Sequence, residues 1–130
     1  DVMGWQVQDD GLGVLFSRDI PTLVRTQFRA AADRFLAMRG LTVRDIEAFV
    51  CHPGGAKVID ALEEAFALAP GTLVKARSVL RDYGNMSAAT VMFVLERMLA
   101  ETAGTRRRYL MTALGPGFTA AFVTLEGLPA

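Results

Sequence analysis

Apolar positions along this chain recur with clear periods. From Ile20 they fall at Val24, Phe28, Ala31, Ala32, Phe35 and Met38, the three-to-four spacing of one helix face. Ser17 and Asp19 precede the run as capping candidates, Pro21 suits its first turn, and Gly40 ends it. A second helix is predicted over the stripe Val58, Ile59, Leu62 and Phe66, with Lys57, Asp60, Glu63 and Glu64 as its wet face and Pro70-Gly71 as its stop. A third, about Asn85 to Glu101, has Thr90 as its one polar side chain between Ala88 and Leu95. That pattern predicts burial on every side.

Shorter apolar runs read as strands. Gly11–Phe16 is one, and Ala48–Cys51 is another, stopped by His52-Pro53-Gly54-Gly55. A short strand is expected between the second and third helices. Arg107–Leu114 and Phe118–Leu125 follow, joined by Gly115-Pro116-Gly117, and so short a connection allows only an antiparallel hairpin. Strands alternating with helices predict an α/β fold: a mixed sheet with helices on its faces, one buried helix and a C-terminal antiparallel hairpin.

Composition narrows the class. The 130 residues fit one domain, and 52% hydrophobic residues with a mean hydropathy of +0.29 exclude intrinsic disorder. Fourteen basic residues balance fourteen acidic ones, which gives no basic face for nucleic acid. One cysteine and one histidine cannot form an internal disulfide or a zinc site. Apolar runs such as Val91–Leu95 fall far short of the roughly 18 residues of a membrane span. These points predict a reduced, cytoplasmic protein with no metal. The apolar excess, and a start at Asp1 without Met or leader, lead us to expect part of a longer chain whose surface is covered by other parts.

Two residues stand where chemistry is plausible. His52 ends a buried strand ahead of a helix, and ligands of open α/β sheets bind beyond the carboxyl ends of strands. Gly54 and Gly55 beside it would let a ligand approach the backbone closely. Asn85, 33 residues on, opens the third helix. It reads either as an N-cap or as an amide donor toward developing negative charge. The short strand expected before it would place it on the same sheet edge as His52. Cys51 neighbours His52, but adjacent strand residues point to opposite faces, so this thiol is read as core. Arg106-Arg107-Arg108 is read as a solvated charge run, and the methionines as core filler.

These strings together resemble a family. His52-Pro53-Gly54-Gly55, Asp82-Tyr83-Gly84-Asn85-Met86-Ser87-Ala88-Ala89 and Gly115-Pro116-Gly117, with the opening Trp5, Gly11-Leu12 and Ser17-Arg18-Asp19-Ile20-Pro21, resemble the C-terminal half of type III polyketide synthases, the chalcone-synthase-like enzymes of the thiolase fold. The resemblance covers Trp5–Glu126. It implies a thiolase-like half, with residues 1–130 as the C-terminal domain and the nucleophilic cysteine in an absent N-terminal half. It further implies a homodimer that loads an acyl-CoA starter and condenses it with malonyl-CoA by decarboxylation. His52 matches the family's catalytic histidine and Asn85 its catalytic asparagine. Ser87 matches a cavity-lining position, and Gly54, Gly55 and Lys57 fall where the pantetheine arm passes. Gly115, Pro116 and Gly117 match a loop that shapes the cavity, here preceded by Ala113-Leu114 in place of Gly-Phe. Val14 aligns with a phenylalanine gatekeeper, which implies a wider entrance. No cofactor is implied beyond the coenzyme A thioesters, and the isolated chain is expected to be inactive. The alternatives are the C-terminal half of a ketoacyl-acyl-carrier-protein synthase III, or a non-catalytic interaction module of the same fold.

Overall fold

The computed structural model describes residues 3–8, 11–16, 20–101, 107–115 and 119–127, the first two segments by backbone alone. The chain opens on a hairpin. Strands β1 (Met3–Gln8) and β2 (Gly11–Phe16) pair antiparallel, with Trp5 opposite Val14. β2 is the expected strand and β1 is an addition to the sequence reading.

Next comes one continuous helical run: α1 (Ile20–Leu23), a π turn (Val24–Phe28) and α2 (Arg29–Ala37). Its buried residues are Ile20, Val24, Phe28, Ala32 and Leu36, each four positions from the last. Four residues of α-helix overshoot one turn by about 40°, so a strict four-residue stripe would wind off the core. The wider π turn in the middle absorbs that drift. The stripe ends at Leu36. Met38, expected on it, is 77% exposed, because it sits past the helix end in the closing turn. There the Leu41 N–H donates to Leu36 O at 2.9 Å and Gly40 adopts φ +70°, the left-handed closure that Gly40 makes possible.

The main sheet has the order β3-β4-β5. β3 (Ala48–Cys51) is buried throughout and pairs parallel with β4 (Arg108–Gly115), which pairs antiparallel with β5 (Thr119–Glu126). The mixed sheet and terminal hairpin match expectation. The β3–β4 crossover carries three helices: α3 (Ala56–Ala65), α4 (Val74–Tyr83) and α5 (Ala89–Glu101). α4 replaces the short strand expected before Asn85. Leu73, Ala76 and Val79 are its buried line, and spacings of three belong to a helix, not a strand.

Strand alternation sorts the sheet faces. Phe49, Cys51, Leu110, Thr112 and Phe122 share one face by register. Phe122 meets Phe28 and Phe35 at ring-centroid distances of 5.1 and 5.4 Å, and Phe49 stacks on Phe66 at 4.8 Å, so the α1–α2 run and the end of α3 cover this face. α5 packs against β3 and β4 on the face of Val50 and Tyr109.

Two expectations need correction here. α5 is not buried all round: Thr90, Val91 and Val94 face the core, while Met92, Phe93 and Leu99 are exposed. Tyr83 meets the Phe93 ring at 5.4 Å, but Met92 and Leu99 stay open, so this largely apolar helix lies half exposed. Glu63, placed on the wet face of α3, is only 3% exposed. Its carboxylate accepts the Leu73 N–H at 2.9 Å and Arg77 Nη2 at 2.6 Å, so α4 folds over it and supplies the partners a buried charge requires. Among the described residues no helix is long and apolar enough to cross a membrane.

Candidate functional site

His52 is set by the sheet. Its N–H donates to Thr112 O at 3.0 Å, extending the β3–β4 ladder one residue past Cys51. Buried Pro53 then stops the strand, since it has no N–H to donate. The chain turns tightly, with the Gly54 N–H on His52 O at 3.1 Å, and α3 begins at Ala56. Continued alternation puts His52 on the α5 side of the sheet and Cys51 on the other.

The imidazole of His52 is half-buried, and burial lowers its pKa below the ordinary value. Its neutral form is therefore the one present at neutral pH. Nδ1 is buried and meets no hydrogen-bond partner among the described residues. An unpaired buried donor is a rarer and costlier defect than an unpaired acceptor. The favoured neutral tautomer therefore leaves Nδ1 bare and carries its proton on Nε2.

Asn85 is placed by the end of α4. Gly84 takes φ +72° while its N–H donates to Leu80 O at 2.9 Å, and that left-handed residue ends the helix and redirects the chain. Asn85 does not cap α5, which begins four residues later at Ala89. Instead its Oδ1 accepts the Ser87 N–H at 2.9 Å, an Asx-type turn. With the oxygen so occupied, Nδ2 is the free end of the amide, and it reaches Gly54 O at 3.4 Å. That is a long contact, and it leaves donor capacity over. It also brings the Asn85 loop against the His52 turn, although α4 and not a strand delivers it there.

The remaining predicted residues lie as follows. Lys57 and Ser87 are exposed, and Gly54 and Gly55 are half-buried. A Cβ on Gly54 would only touch Val58 at an ordinary 3.9 Å, and one on Gly55 would meet nothing within 4 Å. This chain's own packing therefore requires neither glycine. Gly115 ends β4, and because β4 runs parallel to β3 it lies at the same sheet edge as His52. Pro116 and Gly117 lie outside the described residues. So do the side chain of Val14, whose backbone pairs with Trp5 in the hairpin, and Ser17, Asp19 and Arg106.

Cys51 is core, as read. It is fully buried, and burial, partly offset by a hydrogen bond with Thr112, pushes its thiol up to about 12. A thiol held that far above neutrality supplies no thiolate nucleophile. No cluster of three metal-ligating side chains occurs among the described residues. A cleft of about 320 Å³ lined by Glu47, Arg107, Arg108 and Glu126 lies at the opposite end of the sheet, where Arg108 and Glu126 pair at 3.1 Å.

What sequence reasoning missed at this site is Thr90, which is fully buried and whose Oγ1 accepts the Met86 N–H at 2.7 Å. Its signal was there to find: one hydroxyl in an otherwise apolar stretch.

Known proteins share this chain's sequence and fold. The family model for the C-terminal domain of chalcone and stilbene synthases matches residues 1–129. A Bacillus subtilis (strain 168) protein named as a chalcone synthase is 44% identical over 122 residues, 92% of this chain and 33% of the relative. The 1,3,6,8-tetrahydroxynaphthalene synthase of Streptomyces peucetius subsp. caesius is 37% identical over 126 residues, 96% of this chain and 33% of its own length. Among solved structures, the 1,3,6,8-tetrahydroxynaphthalene synthase of Streptomyces coelicolor A3(2), a bacterial type III polyketide synthase, superposes with a TM-score of 0.87 at 24% identity. That match covers all of this chain and 37% of the other, and it shows the shared fold. The chain spans about a third of the length of the curated relatives it matches.

Proposed function

We infer that this chain, which belongs to the chalcone and stilbene synthase C-terminal domain family, contributes the histidine and asparagine of a decarboxylating, carbon–carbon bond-forming acyltransferase. The observation that carries the reading is the meeting of two loops, joined where Asn85 Nδ2 donates to Gly54 O at 3.4 Å, two residues past His52. In this reading two neutral N–H donors, His52 Nε2 and Asn85 Nδ2, serve one small space, and the loop contact supports it.

The chemistry follows from those donors. A starter acyl group passes from its coenzyme A thioester to a cysteine thiolate supplied by a part of the protein outside this chain, and coenzyme A leaves as a thiolate that takes up the proton given up by that cysteine. Malonyl-CoA then loses its carboxylate as CO2. The electron pair of that C–C bond stays as an enolate with negative charge on the thioester oxygen. Neutral donors aimed at that oxygen stabilise the charge as it develops, and a removed donor typically costs about 3–4 kcal/mol of transition-state energy. A cationic imidazole would be a poor fit to a site whose burial lowers the His52 pKa. The enolate carbon attacks the acyl thioester, and the cysteine thiolate departs. In its other neutral tautomer, with Nε2 free of a proton, His52 would also serve that thiol as a base during loading. The scheme needs no cofactor beyond the thioesters.

Gly54 and Gly55, bare without need in this chain, suit the passage of a pantetheine arm, with Lys57 near its phosphates and Ser87 and Gly115 on the cavity wall. Pro116, Gly117 and Val14 complete that wall in the same proposal. The isolated 130 residues lack the nucleophile and are inactive alone. The open apolar face of α5, with Met92, Phe93 and Leu99 exposed, is covered in this reading by the remaining two-thirds of the protomer within a cytoplasmic homodimer.

The test is thioester choice. The full-length protein is expected to release CO2 from malonyl-CoA and to be inert toward malonyl groups carried on acyl carrier protein, measured as product formed from each donor. Turnover of the carrier-linked group alone would assign it to the ketoacyl synthase III class. No turnover of either would leave a binding module of the same fold.

A further inference from the structure

We propose that Thr90, which the reaction scheme does not use, is a positioning residue that holds the Asn85 amide with its nitrogen toward the site. The proposal rests on the reading of Asn85 as an oxyanion donor and deepens it.

Ser87 sits at φ +59°. A residue with a side chain is disfavoured in that region, so something must hold it there. Ser87 also makes the bond that orients Asn85, because its N–H donates to Asn85 Oδ1 at 2.9 Å. Two bonds from Thr90 bracket it. Thr90 Oγ1 accepts the Met86 N–H at 2.7 Å, and the Thr90 N–H donates to Ser87 O at 3.0 Å. One residue thus fixes the Asn85–Met86 peptide through its side chain and the Ser87 carbonyl through its backbone.

Helical threonines commonly turn the hydroxyl back onto the carbonyl four residues earlier. Here Thr90 Oγ1 instead accepts from the N–H four residues earlier, in the loop that carries Asn85. The hydroxyl is fully buried, so water does not compete for that bond. Without it the Met86 N–H has no partner, Ser87 relaxes to negative φ, and its N–H leaves Asn85 Oδ1. The amide is then free to turn its oxygen where a donor is needed. A donor misplaced by an ångström loses much of its effect.

The experiment uses the full-length protein and two readouts, CO2 release from malonyl-CoA and acylation of the catalytic cysteine by a starter. Thr90→Val keeps the shape and removes the hydroxyl. It is expected to lower kcat for decarboxylation by about tenfold to a hundredfold with KM for malonyl-CoA and starter acylation unchanged. Thr90→Ser, which keeps the hydroxyl, should restore most of the rate. In an Asn85→Ala background Thr90→Val should have no further effect. Equal losses in both readouts, equal losses in Val and Ser variants, or a full additive loss in the Asn85→Ala background would overturn the proposal in favour of a packing role. Should the Val variant fail to fold, hydrogen exchange of the wild-type Met86 amide decides: protection comparable to the core of α5 supports the bond, and rapid exchange refutes it. If Asn85→Ala decarboxylates normally, the underlying reading of Asn85 fails. If Asn85→Ala is dead and Thr90→Val behaves as wild type, only the Thr90 proposal fails.

Discussion

Asn85→Ala in the full-length protein is expected to slow malonyl-CoA decarboxylation by about a hundred- to a thousandfold, the usual consequence of removing one oxyanion donor, while the cysteine still accepts its starter. The structure adds a sharper version, because the two ends of the Asn85 amide do different work. Oδ1 holds the loop by accepting the Ser87 N–H, and Nδ2 is the end left to donate. Asn85→Asp keeps an acceptor for Ser87 and loses the donor. It should therefore lose decarboxylation as Ala does while keeping the loop in place. If Asp retained the rate, the side chain would matter only as a loop tie. The measurement is paired: CO2 release without starter, and mass spectrometry of the acylated cysteine with it.

The second large effect is on stability. Glu63→Ala should destabilise the fold by about 3 kcal/mol, the lower end of what breaking a buried charge pair costs. The low end applies because Arg77 keeps Asp60 as a partner at 2.7 Å and reaches solvent. The Leu73 N–H is left unpaired, and with it the entry to α4. Glu63→Gln retains an acceptor and should cost roughly half as much. Burial on its own would raise the Glu63 carboxyl pKa, but the Leu73 N–H and the Arg77 guanidinium outweigh it and hold the pKa below its ordinary 4.5. A depressed carboxylate contributes stability above its unfolded value and loses it as pH falls through the folded one. Thermal unfolding from pH 7 downward should therefore show wild type and Glu63→Gln converging progressively as pH falls below the ordinary 4.5. Parallel curves would mean that Glu63 is not ionised in the fold.

Much of this was legible in the chain because the local signals agreed with the global fold. β3 is four buried residues closed by Pro53, and the terminal strands flank a three-residue turn. The functional strings carried His52 and Asn85 to one end of the molecule in advance. Other parts were hidden for identifiable reasons. β1 alternates Met3, Trp5 and Val7 against Gly4, Gln6 and Gln8, a period of two that the longer apolar runs overshadowed. α4 was mistaken for a strand because arginines and lysine interrupt its few apolar positions. Its helical spacing shows only when Leu73, Ala76 and Val79 are counted together. Glu63 looked wet because sequence cannot foresee that α4 folds back over it with Arg77. The strict four-residue stripe from Ile20 to Leu36 announced a helix but not the π turn that keeps the stripe on the core. The sequence singles out Asn85, but its Asx turn and its tie to Thr90 depend on Ser87 taking a positive φ, which a serine in a sequence does not advertise.

In the proposed function, His52 and Asn85 hold one developing oxyanion between them. The most direct test is a crystal structure of the full-length protein with a malonyl thioester analogue that cannot decarboxylate. The thioester carbonyl oxygen is expected about 3 Å from both His52 Nε2 and Asn85 Nδ2. A carbonyl oxygen held by other groups, with neither nitrogen in hydrogen-bond range, would contradict it.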